Sequence, residues 1–183
     1  MYYFLIPLIT GFISNLASAF TTMYSDKWGK QTGTFATILL RDIFGIPVWA
    51  IGFVMAIKES AGLLYRASFL SQLSGWIIIA IGCIIIVTAL FNIRIKAAAP
   101  STKDPLVQTG IYSMVRHPIH CGTFLEFAGL FVLWPSLTVC LAWIIGTVWI
   151  FFQSLFEEQD LIKRIPEYRV YMKKVPRFIP FTF

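Results

Sequence analysis

The sequence predicts an all-α, polytopic membrane protein with about five transmembrane helices, the last two folded into a tight helical hairpin. Three observations predict it. Of the 183 residues, 57% are hydrophobic and only 13% are charged, against roughly 25% charged in a soluble domain. The apolar residues fall in long runs, which is how bilayer-spanning chains are built. Two of those runs are separated only by Pro135 and Ser136.

Roughly 20 apolar residues carry a helix across about 30 Å of hydrocarbon. Residues 2–20 make the first span, with Pro7 tolerated near its start. The run begins apolar at Tyr2 with no basic leader and no small-residue cleavage site, so it reads as a retained helix. Residues 25–33 are polar, contain glycine and are expected to form a loop. Residues 35–57 make a second span, interrupted by Arg41 and Asp42, and residues 58–71, with Lys58, Glu59 and Arg66, make a second loop. Residues 73–91 are a clean third span. Residues 92–116 form a long polar segment with Pro100 and Pro105. The fourth run, 119–134, is short and holds His120 and Glu126; the fifth is 137–156, and a charged tail, 157–183, follows. The chain thus reads as a three-helix membrane region, 1–95, integrated with a cofactor-binding loop, hairpin and tail, 96–183.

The net charge is +6. The positive residues lie between apolar runs, which points to loops that hold a membrane topology and not to nucleic acid. Five spans put the first loop, the third loop and the tail on one side, with twelve Lys and Arg. The other side has Lys58 and Arg66, and Arg41 is assigned to neither. The skew places the third loop and the C-terminal tail in the cytoplasm. Cys83, Cys121 and Cys140 form no CxxC pair and read as free thiols.

A two-residue link forces the fourth and fifth runs into an antiparallel hairpin. The start of one and the end of the other then share a membrane face. Arg116 and His117 come level with Glu157 and Glu158, about 40 positions away. Pro118 suits a first helical turn, where its missing N–H is not needed. Adjacent acids at a helix C-terminus oppose the macrodipole. Water could solvate them, or they could bind ribose hydroxyls or offset a cation.

Glu126 lies deep in the fourth run, where an ionisable group is costly and usually meets a cavity or a partner. It is about 240° around the helix from His120, so the two do not share a face. Its candidate partners are Arg41 and a substrate chamber. Arg41 and Asp42 are consecutive and are expected to point in different directions, in helix–helix contact. His117, His120 and Cys121 have a spacing that suits a metal, but nothing in the sequence completes such a site and no metal is expected.

Gly110 through Arg116-His117-Pro118, then Gly122, Glu157-Glu158, Glu167-Tyr168, Tyr171, Val175 and Pro180 resemble the isoprenylcysteine carboxyl methyltransferase and phospholipid methyltransferase superfamily. The resemblance covers about residues 100–180 and rests on the combination of motifs. It implies an S-adenosylmethionine site at the cytoplasmic face, with S-adenosylhomocysteine as product. The implied cofactor-binding residues are Asp104, Leu106, Val107, Tyr112, Arg116, His117, Pro118, Ile119, His120, Glu157 and Glu158. His120 stands where the family usually has a tyrosine. Gln153 stands where the isoprenylcysteine enzymes carry an arginine at the substrate end, so it is the candidate substrate residue.

The implied reaction moves a methyl group from a sulfonium to a lipophilic acceptor that arrives from the bilayer: a prenylcysteine carboxylate, a lipid head group or a related molecule. A carboxylate acceptor needs no base, whereas an ammonium must first lose a proton. His120 and Glu126 are the candidate catalytic bases. The alternatives are an NADPH-dependent sterol-type reductase, which shares an RHP-like hairpin, and a non-enzymatic small transporter.

Overall fold

The computed structural model describes residues 2–93 and 106–180. In chain order these form α1 (Leu5–Ser18), α2 (Thr21–Trp28), α3 (Lys30–Ile38), a π-helical turn (Leu39–Ile43) and α4 (Ile46–Glu59). Then come α5 (Phe69–Ile93), a 3₁₀ turn (Gly110–Ser113), α6 (Pro118–Leu133), α7 (Leu137–Arg164) and α8 (Tyr168–Lys174). No strand occurs among the described residues beyond an antiparallel bridge between Leu63 and Ser136.

The expected count of five clean spans changes in detail. Three helical segments are long and apolar enough to cross a membrane: Lys30–Glu59, Phe69–Ile93 and Leu137–Arg164. The first run passes that test only as α1 joined to α2, with a 63° bend between them. The fourth, α6, has 16 residues and rises about 24 Å, short of the hydrocarbon thickness. Residues 25–33 are not a loop. They are helical except at Gly29, whose φ of 85° lets one residue end α2 and begin α3. Polar composition hid these helices, because the apolar pattern that marks a span is missing from them.

The core is aromatic. Phe12 of α1 stacks on Trp149 of α7 at 4.6 Å, and Phe53 of α4 stacks on Phe127 of α6 at 4.4 Å. Leu8, Ala56, Val139 and Ala142 fill the spaces between them. The opposite helix faces present large apolar side chains outward, such as Phe69 and Phe91, both more than three-quarters exposed. That is the pattern of a protein solvated by lipid.

α5 packs along α6 through backbone contact. A Cβ on Gly82 would sit 2.7 Å from the Gly122 carbonyl oxygen, and one on Gly122 2.6 Å from that of Gly82. Gly75 and Gly129 repeat the arrangement two turns away. Small residues at such seams let bilayer helices approach closely where no hydrophobic force drives them together. A boundary at residue 95 therefore separates α5 from its closest partner.

The predicted hairpin is present. The backbone N–H of Trp134 donates to Leu130, closing α6. Ser136 caps α7 by accepting from the Val139 N–H. Thr138 donates to the Ala56 carbonyl at 2.9 Å, and the Leu64 N–H donates to Pro135 at 2.8 Å, so the 60–68 loop grips the turn. At its far end α7 runs two turns beyond residue 156, carrying Glu157, Glu158 and Asp160. Asp160 accepts from the Thr22 N–H at 2.9 Å, which brings the α1–α2 bend to the same face. After α8 the chain crosses the start of α6. The N–H groups of Arg116 and His117 donate to the carbonyls of Pro176 and Arg177 at 2.9 and 3.2 Å.

Candidate functional site

Pro118 occupies the first turn of α6 and His117 its cap position. Arg116 is thereby left just outside the helix, free to turn toward the tail. Its Nε and Nη2 both lie 3.0 Å from Oε1 of Glu158, and its Nη1 donates to the carbonyls of Met172 and Val175. Arg177 adds Nη2 to Glu158 Oε2 at 2.6 Å and Nε to Oε1 at 3.0 Å. His117 Nε2 lies 3.1 Å from the same Oε1. Glu158, 3% exposed, therefore binds the hairpin mouth to the C-terminal segment.

Glu157 points elsewhere, because consecutive residues on a helix diverge by about 100°. It lines a cavity of about 370 Å³. Gln153, one turn back, donates to its Oε1 at 2.7 Å. His117 Nδ1 lies 3.5 Å from Oε2, and His120 Nε2 lies 3.8 Å from Oε1. The two imidazoles stack at 5.2 Å, and His120 meets the Trp149 ring edge-on at 6.1 Å. Nδ1 of His120 is buried and has no hydrogen-bond partner.

Burial would lower the His117 pKa, but its hydrogen bonds to Glu157 and Glu158 outweigh that and raise it above the ordinary value. Tyr112 is pushed up by burial and by the nearby Glu157. Burial also pushes Tyr171 up to about 12, with Arg116 opposing. Both phenols are therefore neutral at physiological pH. Tyr171 donates its hydroxyl hydrogen to the Tyr112 carbonyl, which ties α8 to the 3₁₀ turn and closes one wall.

Leu106, Val107, Tyr112, Arg116 and His117 line the cavity, as do Pro118, Ile119, His120 and Glu157. The remaining sequence candidates fall elsewhere. Glu158 is behind the wall, engaged by the tail. Gln153 is buried and reaches the cavity only through Glu157. Asp104 lies outside the described residues. Glu126 is not on the cavity wall; its Oε1 accepts from Cys83 of α5 at 3.2 Å. Nor does it meet Arg41, which forms a two-bond ion pair with Asp42 at 2.8 and 2.9 Å. Consecutive residues were expected to point apart, but a guanidinium is long enough to fold back, and here it starts from a π-helical turn.

His117, His120 and Glu157 each offer a ligand atom within 4.8 Å of the others. Such a cluster has the donor types that hold a metal, with Glu157 in the place that sequence spacing had offered to Cys121. Cys121 donates instead to the Phe178 carbonyl at 3.3 Å. Sequence reasoning missed the wall contributed by Asn15, Arg41 and Trp49, and also Trp149, Arg164 and Tyr168. For Arg41 there was a signal, a charge inside an apolar run. For Tyr168 there was one too, its place in the Glu167-Tyr168 motif; for Trp49 and Trp149 there was none, since Trp in apolar runs reads as core or lipid contact.

The arrangement combines a polar centre with apolar flanks in a volume suited to one small organic molecule, since ligand pockets span roughly 300–1,000 Å³. The profile of a family described as phospholipid methyltransferase matches residues 70–167, more than half of the chain. The match begins in α5 and ends just before α8, so it spans both partners of the glycine seam, the hairpin and both glutamates. No curated protein and no solved structure matches the chain.

Proposed function

Because the chain belongs to the phospholipid methyltransferase family and is a membrane methyltransferase, we propose that its cavity binds S-adenosylmethionine and serves a lipophilic acceptor arriving from the bilayer. The observation that carries the reading is the setting of Glu157. A carboxylate held by Gln153 and flanked by two imidazoles opens into a cavity with Leu106 and Val107 on its wall. That pairing suits a ligand with a polar, hydroxylated ring and an apolar base. The unpartnered Nδ1 of His120 and the carbonyl oxygen of Gln153, also buried without a partner, are further polar atoms in the site's wall and support.

When bound, the cofactor supplies an activated methyl group on sulfur, and the transfer is an in-line displacement. The protein's part is to hold nucleophile and methyl in line and to exclude water, which can account for several kcal/mol of the barrier. Trp149 and Trp49 form the dry wall near His120. His120 is the group placed to accept a proton from an amine acceptor. Glu126 is not on the cavity wall and accepts from Cys83 instead. Glu158 and Arg177 act by fixing the tail. In this reading the face with the tail is cytoplasmic, where a water-soluble cofactor is available, and the skew of positive charge supports that orientation.

The test is methyl transfer from labelled S-adenosylmethionine to extracted lipids and to farnesylated cysteine. Wild type is expected to label at least one acceptor and Glu157→Ala none. Equal labelling by both proteins contradicts the proposal.

A further inference from the structure

One buried imidazole on the cavity wall makes no hydrogen bond among the described residues. His120 is 8% exposed. Its Nδ1 is buried without a partner, and its Nε2 stands 3.8 Å from Glu157 Oε1, too far for a hydrogen bond. Buried polar side chains are nearly always satisfied, so an imidazole in this state calls for a ligand. Its neighbours supply the rest of a ligand set. His117 Nδ1 lies 3.5 Å from Glu157 Oε2, and the three ligand atoms all fall within 4.8 Å of one another. Around a tetrahedral ion with bonds of about 2.0–2.2 Å, ligand atoms stand roughly 3.3–3.5 Å apart. Small side-chain movements therefore close this set around one ion.

The supporting contacts are those of a metal centre. His117 Nε2 lies 3.1 Å from Glu158 Oε1, so the neutral ring donates from Nε2 and keeps its Nδ1 lone pair on the side of Glu157. Metal-bound histidines are commonly held this way, by a carboxylate on the nitrogen that does not ligate. Glu158 is itself fixed by Arg116 and Arg177. Glu157 is oriented by Gln153, which donates to its Oε1 at 2.7 Å. Two imidazoles and one carboxylate suit zinc and its neighbours over magnesium or calcium, which prefer all-oxygen sites. Three protein ligands leave a fourth position for water or another small ligand, and all three line the same cavity.

We propose that His117, His120 and Glu157 bind a divalent transition metal of the zinc class, and that this ion and the nucleotide exclude each other. The oxygens of Glu157 face one imidazole each, so an ion seated among them takes the carboxylate that the nucleotide would use. The metal site stands on the geometry alone; the exclusion rests on the methyltransferase reading. His120 stands where the family usually has a tyrosine, so the donor set belongs to this chain. The ion acts as a reversible block on the cavity.

The experiment uses full-length protein in detergent micelles, stripped of metal, with Co²⁺ as the spectroscopic probe. Wild type is expected to bind a single Co²⁺ per chain with the visible absorption of a four-coordinate site, and Zn²⁺ but not Mg²⁺ displaces it. His120→Tyr and Glu157→Gln weaken Co²⁺ binding by at least about tenfold, since loss of a supporting residue alone typically costs about 10–100-fold. Cys121→Ser leaves it unchanged. X-ray absorption of zinc-loaded wild type needs no variant to fold, and should show imidazole and oxygen neighbours with no sulfur. Added Zn²⁺ lowers the affinity of wild type for S-adenosylhomocysteine in step with metal occupancy, whereas Mg²⁺ does not. Failure of wild type to bind Co²⁺, sulfur at the zinc, or binding that survives His120→Tyr overturns the proposal. Undiminished S-adenosylhomocysteine affinity in the zinc-loaded protein overturns the exclusion. If metal-free wild type binds Co²⁺ but not S-adenosylhomocysteine, the methyltransferase reading fails and the metal site stands.

Discussion

Arg116 and Glu158 are joined by hydrogen bonds of 3.0 Å across 42 positions of sequence. One precedes the hairpin and the other follows it, so the bond exists only when α6 and α7 are folded back on each other. Arg177 and His117 complete the ring of donors around the same carboxylate. Its neighbour Glu157 takes no part in that ring and faces the cavity. The pair of glutamates thus divides into an acid that binds the tail and an acid that faces the cavity.

Replacing Glu158 by Ala is expected to destabilise the protein by about 3–5 kcal/mol, the usual effect of removing one partner of a buried charge cluster. Two arginines and a histidine would be left without their shared acceptor. Thermal unfolding in detergent checks this, and an unchanged Tm for Glu158→Ala would contradict the structural role.

Gln153 acts on the cavity through Glu157. Gln153→Leu removes the 2.7 Å bond that orients the carboxylate. A hydrogen bond to a charged group is worth about 1.5–3 kcal/mol, so S-adenosylhomocysteine affinity should fall roughly tenfold or more. Gln153→Glu should weaken binding further by placing like charges side by side. Calorimetric titration of the three proteins gives the ranking, and an unaltered affinity in Gln153→Leu would remove Gln153 from the site.

The pH dependence of stability follows from His117. Its folded-state pKa is raised above the ordinary 6.5, so folding favours the protonated ring. Its contribution is fully present below about 6.5 and is lost as pH rises through the higher folded value. The Tm of wild type should fall as the buffer moves upward from pH 6.5, and His117→Gln should flatten that part of the profile. A rising Tm, or the same slope in the variant, would show that His117 is not held as the charged form.

The α5–α6 seam tolerates no side chain. Gly82→Val would drive a Cβ to 2.7 Å from the Gly122 carbonyl oxygen, and the helices would have to separate. Overpacking of this kind costs about 1–3 kcal/mol. Thermal unfolding in detergent should show a lower Tm in the variant, and an unchanged Tm would mean that the two helices are not held in backbone contact.

Much of this was legible in the sequence. Pro135-Ser136 between two apolar runs dictated a hairpin, and the hairpin placed Arg116 and His117 beside the glutamates without any structure. The division between Glu157 and Glu158 was not legible, because it depends on how α7 is rotated relative to a tail whose path apolar patterning does not encode. Arg177 was missed for that reason. The α2 and α3 helices were hidden by polar composition on either side of Gly29. Glu126 looked catalytic because it is deep and ionisable. Its partner proved to be Cys83, on a helix whose closeness is set by glycines that carry no chemical signal of their own.

The most direct test of the account is S-adenosylhomocysteine titration of wild type, Glu157→Ala and Glu158→Ala, each with its Tm measured in the same buffer. The account predicts that Glu157→Ala loses nucleotide affinity with a smaller fall in Tm than Glu158→Ala, whose larger loss of Tm reflects release of the tail. Full nucleotide affinity in Glu157→Ala would contradict it.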